Sequence, residues 1–331
     1  MSKISIALCT YNGEKYLPEQ LESISAQTRL PDELIVNDDG SSDETARIII
    51  SFAKRAPFPV SLEINEKNLG STKNFERAIA RSTGDIIFLS DQDDAWEPEK
   101  IERMEKIFLS DERIGLVFSN AALIDENSRP LGKNLWDFSF PKRERREKEK
   151  MFEILLRQNV VTGATAAFRA RFRRDFMPIP ADVPNLIHDA WIALVIAASA
   201  RIEFIDENLV RYRQHGAQQL GIMNRGETRR EIYENSIEFA RNEIRRLVRM
   251  RLILGEFPAF QNKEIRRSTE EIIERNLEER RESIEHYTAR MELPEKKSSR
   301  LLPVWRELKT GRYGKFSKGL LSAAKDIFES W

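Results

Sequence analysis

Several features are scarce in this sequence of 331 residues, and each absence excludes a class of protein. The only cysteine is Cys9, so no disulfide can form within the chain, and zinc sites built on paired cysteines are absent. The formal net charge is zero and no nucleic-acid recognition module occurs, so we expect no nucleic-acid partner. No apolar run reaches the length of about 20 residues that spans a membrane, and the N-terminal apolar run is too short for a signal peptide. Together these absences predict a protein of the reducing cytoplasm.

The first half of the sequence alternates strand-like and helix-like segments. Buried strands are predicted at residues 3–9, 33–37, 60–65, 85–90 and 114–119, and helices over 16–27, from 41 onwards, over 71–81 and over 99–109. Strands that alternate with helices of about a dozen residues indicate a parallel sheet covered on both faces. The predicted fold class is therefore α/β, with a mostly parallel, Rossmann-like sheet.

Polar clusters follow the predicted strands at the points where the strands end. TYNG follows the first strand, DDGSSD the second, EKNLGSTKN the third and DQDD the fourth. In parallel sheets ligands bind beyond the carboxyl ends of the strands, where the strand order reverses. This arrangement predicts a binding site at one edge of the sheet, and it does not depend on any one motif.

The DQDD cluster places Asp91, Asp93 and Asp94 directly after an apolar run. Such carboxylates repel one another until a cation neutralises them. Mg²⁺ and Mn²⁺ take one or two protein carboxylates and leave their other positions to water and substrate phosphates. The pattern therefore predicts a Mg²⁺ or Mn²⁺ site, in which Asp94 serves either as an outer partner or as the cap of the helix near Pro98.

The second half of the sequence changes character towards long helices. Residues 222–331 are predicted to be an α-helical region, with a hairpin over 227–291 and His286 on its surface. A near-heptad stripe would pack either within the chain or on a second subunit to form a homodimer, and it comprises Ile265, Ile272, Leu277, Ile284 and Met291.

The C-terminal tail is locally basic. Residues 296–331 carry nine Lys or Arg and three acids, interleaved with large apolar side chains. A basic amphipathic segment is typical of membrane-surface binding, and packing on the chain's own domain is the equally weighted alternative.

Six segments in order carry a resemblance to a known family: CTYNGEKYLPEQLESISAQT, ELIVNDDGSSDET, NLGSTKNFERAI, DIIFLSDQDDAW, NVVTGATAAF and HDAWIALV…YRQHGAQ. Together they resemble the family 2 nucleotide-sugar glycosyltransferases of GT-A fold, with the rhamnosyltransferase-like branch of bacterial surface polysaccharide synthesis as the nearest type. The resemblance covers residues 4–221. It implies a catalytic domain over 1–221, with the nucleotide sugar bound by 1–120 and the acceptor by 121–221.

The resemblance also implies roles for matching residues. Asp189 would be the catalytic base, and Asp93 would bind the metal together with His215, although an ordinary loop histidine remains the alternative for His215. Contacts with the nucleotide sugar are implied for Thr10, Tyr11, Asn12, Glu14, Asp39, Lys73, Asp91, Arg213 and Gln214.

The resemblance implies an inverting transfer of a hexose, with L-rhamnose from dTDP-rhamnose favoured over a UDP-sugar. The acceptor would be a glycan or a polyprenyl-diphosphate-linked glycan, as in O-antigen synthesis, at the inner face of the cell membrane. Two alternatives stay open: a sugar nucleotidyltransferase, which would need a richer glycine loop than the single glycine of TYNGEKY, and a non-catalytic nucleotide-binding partner of a polysaccharide assembly complex.

Overall fold

The structure, a computed structural model, describes residues 2–180, 183, 186–216 and 228–329. Its strands are β1 (Ile4–Thr10), β2 (Glu33–Asp38), β3 (Val60–Ile64), β4 (Ile86–Ser90), β5 (Ala95–Trp96), β6 (Ile114–Ile124), β7 (Pro130–Asn134), β8 (Ala166–Arg169) and β9 (Arg201–Arg213). Its helices are α1 (Leu17–Ser25), α2 (Thr45–Ala53), α3 (Ser71–Arg81), α4 (Lys100–Ser110), α5 (Trp136–Ser139), α6 (Lys142–Arg145), α7 (Met151–Arg157), α8 (Arg173–Phe176), α9 (His188–Ser199), α10 (Arg229–Leu254), α11 (Lys263–Met291), α12 (Leu301–Lys309), α13 (Arg312–Phe316) and α14 (Leu320–Phe328).

One sheet contains the nine strands of the described residues, in the order β3-β2-β1-β4-β8-β6-β9-β5 with β7 paired to β6. The pairs within β3-β2-β1-β4 are parallel, β8 runs antiparallel between β4 and β6, and β9 is parallel to β6. All seven residues of β1 are buried, as expected for a parallel strand with helices on both faces. The predicted α/β class with a mostly parallel sheet is confirmed.

The predictions for the second half of the sheet were less accurate. The strand β6 extends to Ile124 instead of ending at Ser119 as predicted, and residues 201–213 form the long strand β9. These two strands pair along their length with three register shifts, so the long pairing stabilises residues whose local pattern is broken. The helix α9, which contains Trp191, is buried along its first nine residues.

The chain divides into two compact units. The first comprises Met1–Ala181, Leu186–Gly221 and Glu256–Ile265, and the second comprises Asp182–Asn185, Ile222–Gly255 and Arg266–Trp331. The division of residues 1–221 into a nucleotide side and an acceptor side stays a prediction. Among the residues that the structure describes, no helix is long and apolar enough to cross a membrane.

The second unit is helical, as predicted, but its buried side differs from the prediction. Of the five heptad positions only Leu277 is buried, and the other residues buried on α11 are Thr269, Ile273, Asn276, Ser283, His286 and Arg290. The surface position predicted for His286 is wrong: its ring is fully buried, with Nδ1 2.8 Å from Glu307 Oε1 and Nε2 2.8 Å from Ser317 Oγ. Polar side chains are buried on this face where the fold supplies hydrogen-bond partners, as for His286 and for Arg290, which donates from Nε to Asp326 Oδ2 at 2.6 Å. The apolar period cannot indicate such partners.

Candidate active site

The carboxyl ends of β1, β2 and β4 meet at one edge of the sheet, because these strands are parallel neighbours. They bring Thr10, Asp39 and the Asp91–Asp94 loop to that edge. The strand β5 directly follows this loop and pairs antiparallel with β9, with Ala95 opposite Arg211. Residues just before Ala95 therefore lie opposite residues just after Arg211, and His215 reaches the aspartate loop.

Asp93 and His215, the two predicted metal ligands, contact each other. Asp93 Oδ2 lies 2.9 Å from His215 Nε2, and both side chains keep some solvent exposure. The ring of Tyr16 packs against the ring of His215, with the centroids 4.8 Å apart. This contact holds the imidazole at the edge of the aspartate loop.

The Asp93–His215 pair fits a divalent cation as two of its ligands. Two ligand atoms that occupy neighbouring positions of an octahedral Mg²⁺ or Mn²⁺ site are about 3.0 Å apart, which matches the observed separation. In the described ranges no cluster of three or more His, Cys, Asp or Glu side chains could hold a metal. The pair therefore suits a cation that completes its shell with water and diphosphate oxygens, and it does not suit a closed structural site.

Several carboxyl groups lie close to this pair. Burial, followed by the charges of Asp93 and then Asp189, raises the pKa of Asp91 to about 8. Burial and the charges of Asp93 and Asp91 also raise the pKa of Asp94. Because Asp189 lies close enough to raise the pKa of Asp91, the proposed base and the aspartate loop share one electrostatic environment.

Asp94 is buried behind the aspartate loop and does not cap a helix. Its Oδ1 accepts a hydrogen bond from the backbone N of Arg213 at 3.0 Å, and the side chain is buried. The helix α4 begins at Lys100 after Glu99, with no side-chain cap. The alternative that Asp94 caps this helix is therefore wrong.

Arg213 is fully buried, and all three nitrogens of its guanidinium group donate hydrogen bonds within the protein. It donates from Nε to the carbonyl O of Asp93 at 2.7 Å and from the two terminal nitrogens to Glu19 Oε2 at 2.5 Å and Ser128 Oγ at 2.8 Å. The guanidinium also lies 4.7 Å from the centroid of the Tyr16 ring. The geometry favours a role for Arg213 in positioning the aspartate loop, and its contact with the nucleotide sugar stays a prediction. Gln214, next to it, is half-buried.

The carboxylates at the end of β2 organise the loops around the predicted nucleotide pocket. Asp38 Oδ2 accepts from Thr10 Oγ1 at 2.7 Å and from Ser41 Oγ at 2.6 Å. Asp39 Oδ1 accepts from the backbone N of Leu69 at 2.8 Å, and its Oδ2 accepts from the backbone N of Gly70 at 2.9 Å. Thr10 and Asp39 are thus placed at the predicted pocket, and their contacts with a nucleotide stay predictions.

The TYNG segment is fixed by Gln92 from the aspartate loop. Gln92 accepts from the backbone N of Tyr11 at 2.8 Å and donates to its carbonyl O at 2.9 Å. A Cβ atom at Gly13 would lie 2.1 Å from Gln92 Oε1, so this contact requires glycine. The Tyr11 side chain is 47% exposed and is available to a ligand.

The remaining nucleotide-side residues make contacts within the protein. Asn12 has φ +46° and accepts from the backbone N of Ser42 at 2.9 Å, and Glu14 accepts from the backbone N of Glu44 at 2.9 Å. Lys73 donates to Glu76 Oε2 at 3.0 Å and to the carbonyl O of Ile179 at 2.9 Å. Their predicted contacts with the nucleotide sugar stay predictions.

Asp189 lies in the first turn of α9 and is held by three donors. Its Oδ2 accepts from the backbone N of Gly163 at 2.8 Å, and its Oδ1 accepts from Asn159 Nδ2 at 3.0 Å and from the backbone N of Ala190 at 2.6 Å. Burial nevertheless raises the pKa of Asp189 to about 6, against the lowering effect of these hydrogen bonds. A carboxylate with this pKa suits a general base near neutral pH.

Sequence reasoning missed Gln92, Asp38 and Asn159. Gln92 stands between two aspartates and Asp38 stands beside Asp39, so their positions in strand-end clusters could have suggested them. Asn159 opens the NVVTGATAAF segment, but its contact with Asp189 spans 30 positions and follows only from the fold.

The comparison with known families decides the identity of the chain. The model of glycosyl transferase family 2 matches residues 5–176, just over half of the chain. The chain belongs to glycosyl transferase family 2. The family match includes the aspartate loop, whereas Asp189 and His215 lie beyond it and are supported here by geometry.

Relatives and solved structures agree with this assignment. A glycosyltransferase of Nostoc sp., described as uncharacterized, is 27% identical over 223 residues, which cover 65% of this chain and 66% of that relative. The mannosyltransferase PcManGT of Pyrobaculum calidifontis, solved with GDP-Man and Mn²⁺, aligns over 99% of this chain and 88% of its own with TM-score 0.53 at 17% identity. S. aureus TarS 1-349 with UDP aligns over 79% of this chain and 72% of its own with TM-score 0.50 at 19% identity. The two structural likenesses confirm the predicted GT-A fold.

Proposed function

We propose that this family 2 glycosyltransferase moves a sugar from a nucleoside-diphosphate donor to a sugar hydroxyl of a glycan acceptor, with inversion at the anomeric carbon. The observation that carries the proposal is the 2.9 Å contact between Asp93 Oδ2 and His215 Nε2 at the carboxyl ends of the parallel strands. The resemblance to the rhamnosyltransferase-like branch favours dTDP-L-rhamnose as the donor, and UDP-sugars are the next class to test.

The two ends of the site have different tasks. Asp93 and His215 would hold Mg²⁺ or Mn²⁺ against the diphosphate, and a bound ion there neutralises the charge that develops on the leaving group. Asp189 accepts the proton of the attacking hydroxyl, and the hydrogen bonds from Asn159 and Gly163 keep its carboxylate oriented. The new glycosidic bond forms as the bond to the diphosphate breaks, so no protein nucleophile is needed.

The acceptor is proposed to be a glycan on a polyprenyl-diphosphate carrier, which would explain a locally basic, apolar C-terminal tail. In this proposal the protein acts at the inner face of the cell membrane in bacterial surface polysaccharide synthesis. Formation of a homodimer through the C-terminal helices stays a prediction.

A ligand screen followed by turnover tests the proposal. A nucleoside diphosphate or nucleotide sugar that binds the folded state raises the melting temperature, and Mn²⁺ should increase that shift. With the stabilising donor, release of nucleoside diphosphate should require both Mg²⁺ or Mn²⁺ and Asp93. Release of pyrophosphate from a nucleoside triphosphate and a sugar phosphate would instead identify a nucleotidyltransferase. Nucleotide binding without turnover across a donor panel would indicate a non-catalytic partner.

A further inference from the structure

Two helices of the second unit share one layout. α12 has the sequence LLPVWRELK and α14 has the sequence LLSAAKDIF. In both, the fourth and seventh positions are buried, the third and eighth are half-buried, and the other five are exposed. At 3.6 residues per turn, these five positions fall within an arc of about 140°. Each helix therefore presents one broad exposed face with the same arrangement of side chains.

The acidic side chains of both helices point into the unit. Glu307 Oε1 lies 2.8 Å from His286 Nδ1, and its Oε2 accepts from Arg312 at 2.7 Å. Asp326 accepts from Arg290 Nε at 2.6 Å and from the hydroxyl of Tyr313 at 2.7 Å. These are the only two acids between residues 301 and 328, so internal pairing removes negative charge from the exposed faces.

The outward faces carry large apolar side chains instead. Trp305 is 52% exposed, Leu321 is 69% exposed and Phe328 is 70% exposed. Small apolar residues, Val304 and Ala323, fill the buried fourth position of the two helices, and the larger apolar side chains lie outside. The exposed apolar set of the two helices is Leu301, Leu302, Trp305, Leu320, Leu321 and Phe328. Large apolar side chains grouped on the exposed face of each helix mark an interaction surface.

Basic side chains accompany the apolar ones. Arg306 and Lys325 occupy the same exposed position of the two helices, and Lys309 Nζ lies 3.6 Å from the centroid of the Trp305 ring. Lys315 and Lys318 are also exposed in the segment between the helices. Basic and aromatic side chains together with leucines are the combination that inserts into an anionic membrane interface.

We propose that the exposed faces of α12 and α14, called here the lipid-binding face, dock on a bilayer that contains anionic lipid. Charge complementarity selects this occupant over a second copy of the chain. A symmetric dimer on this face would bring Arg306, Lys309 and Lys325 towards the same cations of the other copy. The proposal deepens the proposed function because a lipid-linked acceptor lies in such a bilayer, but its argument depends only on this face.

Flotation of the full-length protein with vesicles tests the proposal. Vesicles of phosphatidylglycerol and phosphatidylcholine in equal parts should carry the protein, and pure phosphatidylcholine vesicles should carry much less. The variant Arg306→Gln/Lys325→Gln should bind these vesicles about fivefold more weakly for each charge removed. High salt should also weaken the binding of the parent, because it screens the same attraction. Leu302→Ser/Phe328→Ser should lose at least tenfold because the inserted apolar area is reduced.

The matched control is Phe239→Ser/Leu252→Ser, which alters exposed apolar residues on α10 of the same unit. Control and test variants should melt as the parent does, because all six altered side chains are exposed. Unchanged vesicle binding in the two test variants would overturn the proposal, as would equal loss in the control. Self-association of the lipid-free protein that Leu302→Ser/Phe328→Ser abolishes would assign the face to a second copy and overturn the lipid assignment.

The outcomes separate this proposal from the proposed function. Vesicle binding without sugar transfer would support the lipid-binding face and contradict the transferase reaction. Transfer to a water-soluble glycan acceptor without vesicle binding would support the reaction and contradict the face.

Discussion

The protonation of Asp189 gives a direct test of its role as the base. Its carboxylate must be deprotonated to accept the proton of the acceptor hydroxyl, and its pKa is raised to about 6 by burial. Turnover should therefore be full above this pH and should fall as the pH drops through it, approaching a tenfold loss per pH unit.

The substitution Asn159→Ala should move the acidic limb of the pH profile, in which turnover falls as the pH drops, to higher pH. Asn159 Nδ2 donates to Asp189 Oδ1 at 3.0 Å and favours the charged form of the carboxyl group. A hydrogen bond to a charged group is worth about 1.5–3 kcal/mol, and 1.36 kcal/mol corresponds to one pKa unit. Because Asn159 is exposed and water replaces part of this bond, we expect a shift of about one pH unit, to about pH 7.

The assay is the pH dependence of kcat/KM for donor and acceptor in the parent and in Asn159→Ala. Asn208→Ala is the matched control, because the Asn208 amide donates to Asn134 at 2.9 Å on the exposed surface, and its profile should not move. An acidic limb that stays in place in Asn159→Ala would refute the reasoning that Asp189 sets it. A limb that moves towards lower pH would refute the sign of the electrostatic argument.

Three further predictions concern the aspartate loop and its supports. Asp93→Ala should abolish the additional thermal stabilisation that Mn²⁺ gives to the nucleoside-diphosphate complex, and an unchanged Mn²⁺ effect would contradict the metal role. Gly13→Ala should weaken nucleotide binding measured by calorimetry, because the new Cβ would lie 2.1 Å from Gln92 Oε1, and Gly13→Ala/Gln92→Ala should recover part of the loss. Arg213→Met should lower the free energy of unfolding of the ligand-free protein by about 3 kcal/mol in urea titrations, because it breaks a buried ion-paired network. An unchanged unfolding free energy together with weaker nucleotide binding would instead make Arg213 a ligand contact.

The fold of the first unit could be predicted because its signals are local. The apolar runs before Cys9, Asn37 and Ser90 are short and bounded by polar turns, and each becomes a buried parallel strand. The polar clusters that follow them then share one edge of the sheet, since parallel strands end on the same side.

The burial of charged groups could not be predicted in the same way. The sequence predicts a ligand contact for Arg213 and a surface position for His286. Both side chains are buried among partners that are distant in sequence. A charged or polar side chain is buried when the fold supplies hydrogen-bond partners, and its own neighbours along the chain do not reveal them.

Local sequence features predict the alternation of strands and helices and the polar clusters at the strand ends, and the ordered motifs indicate the family. Which of these clusters form one site depends on the packing of the whole domain. Asp93 and His215 are separated by 122 positions, and they meet because β5 pairs with β9 at the far end of a sheet whose order is not the order of the chain. Periodicity sets which face of an element is buried, whereas strand order is set by the packing of the whole domain, and the site follows from strand order.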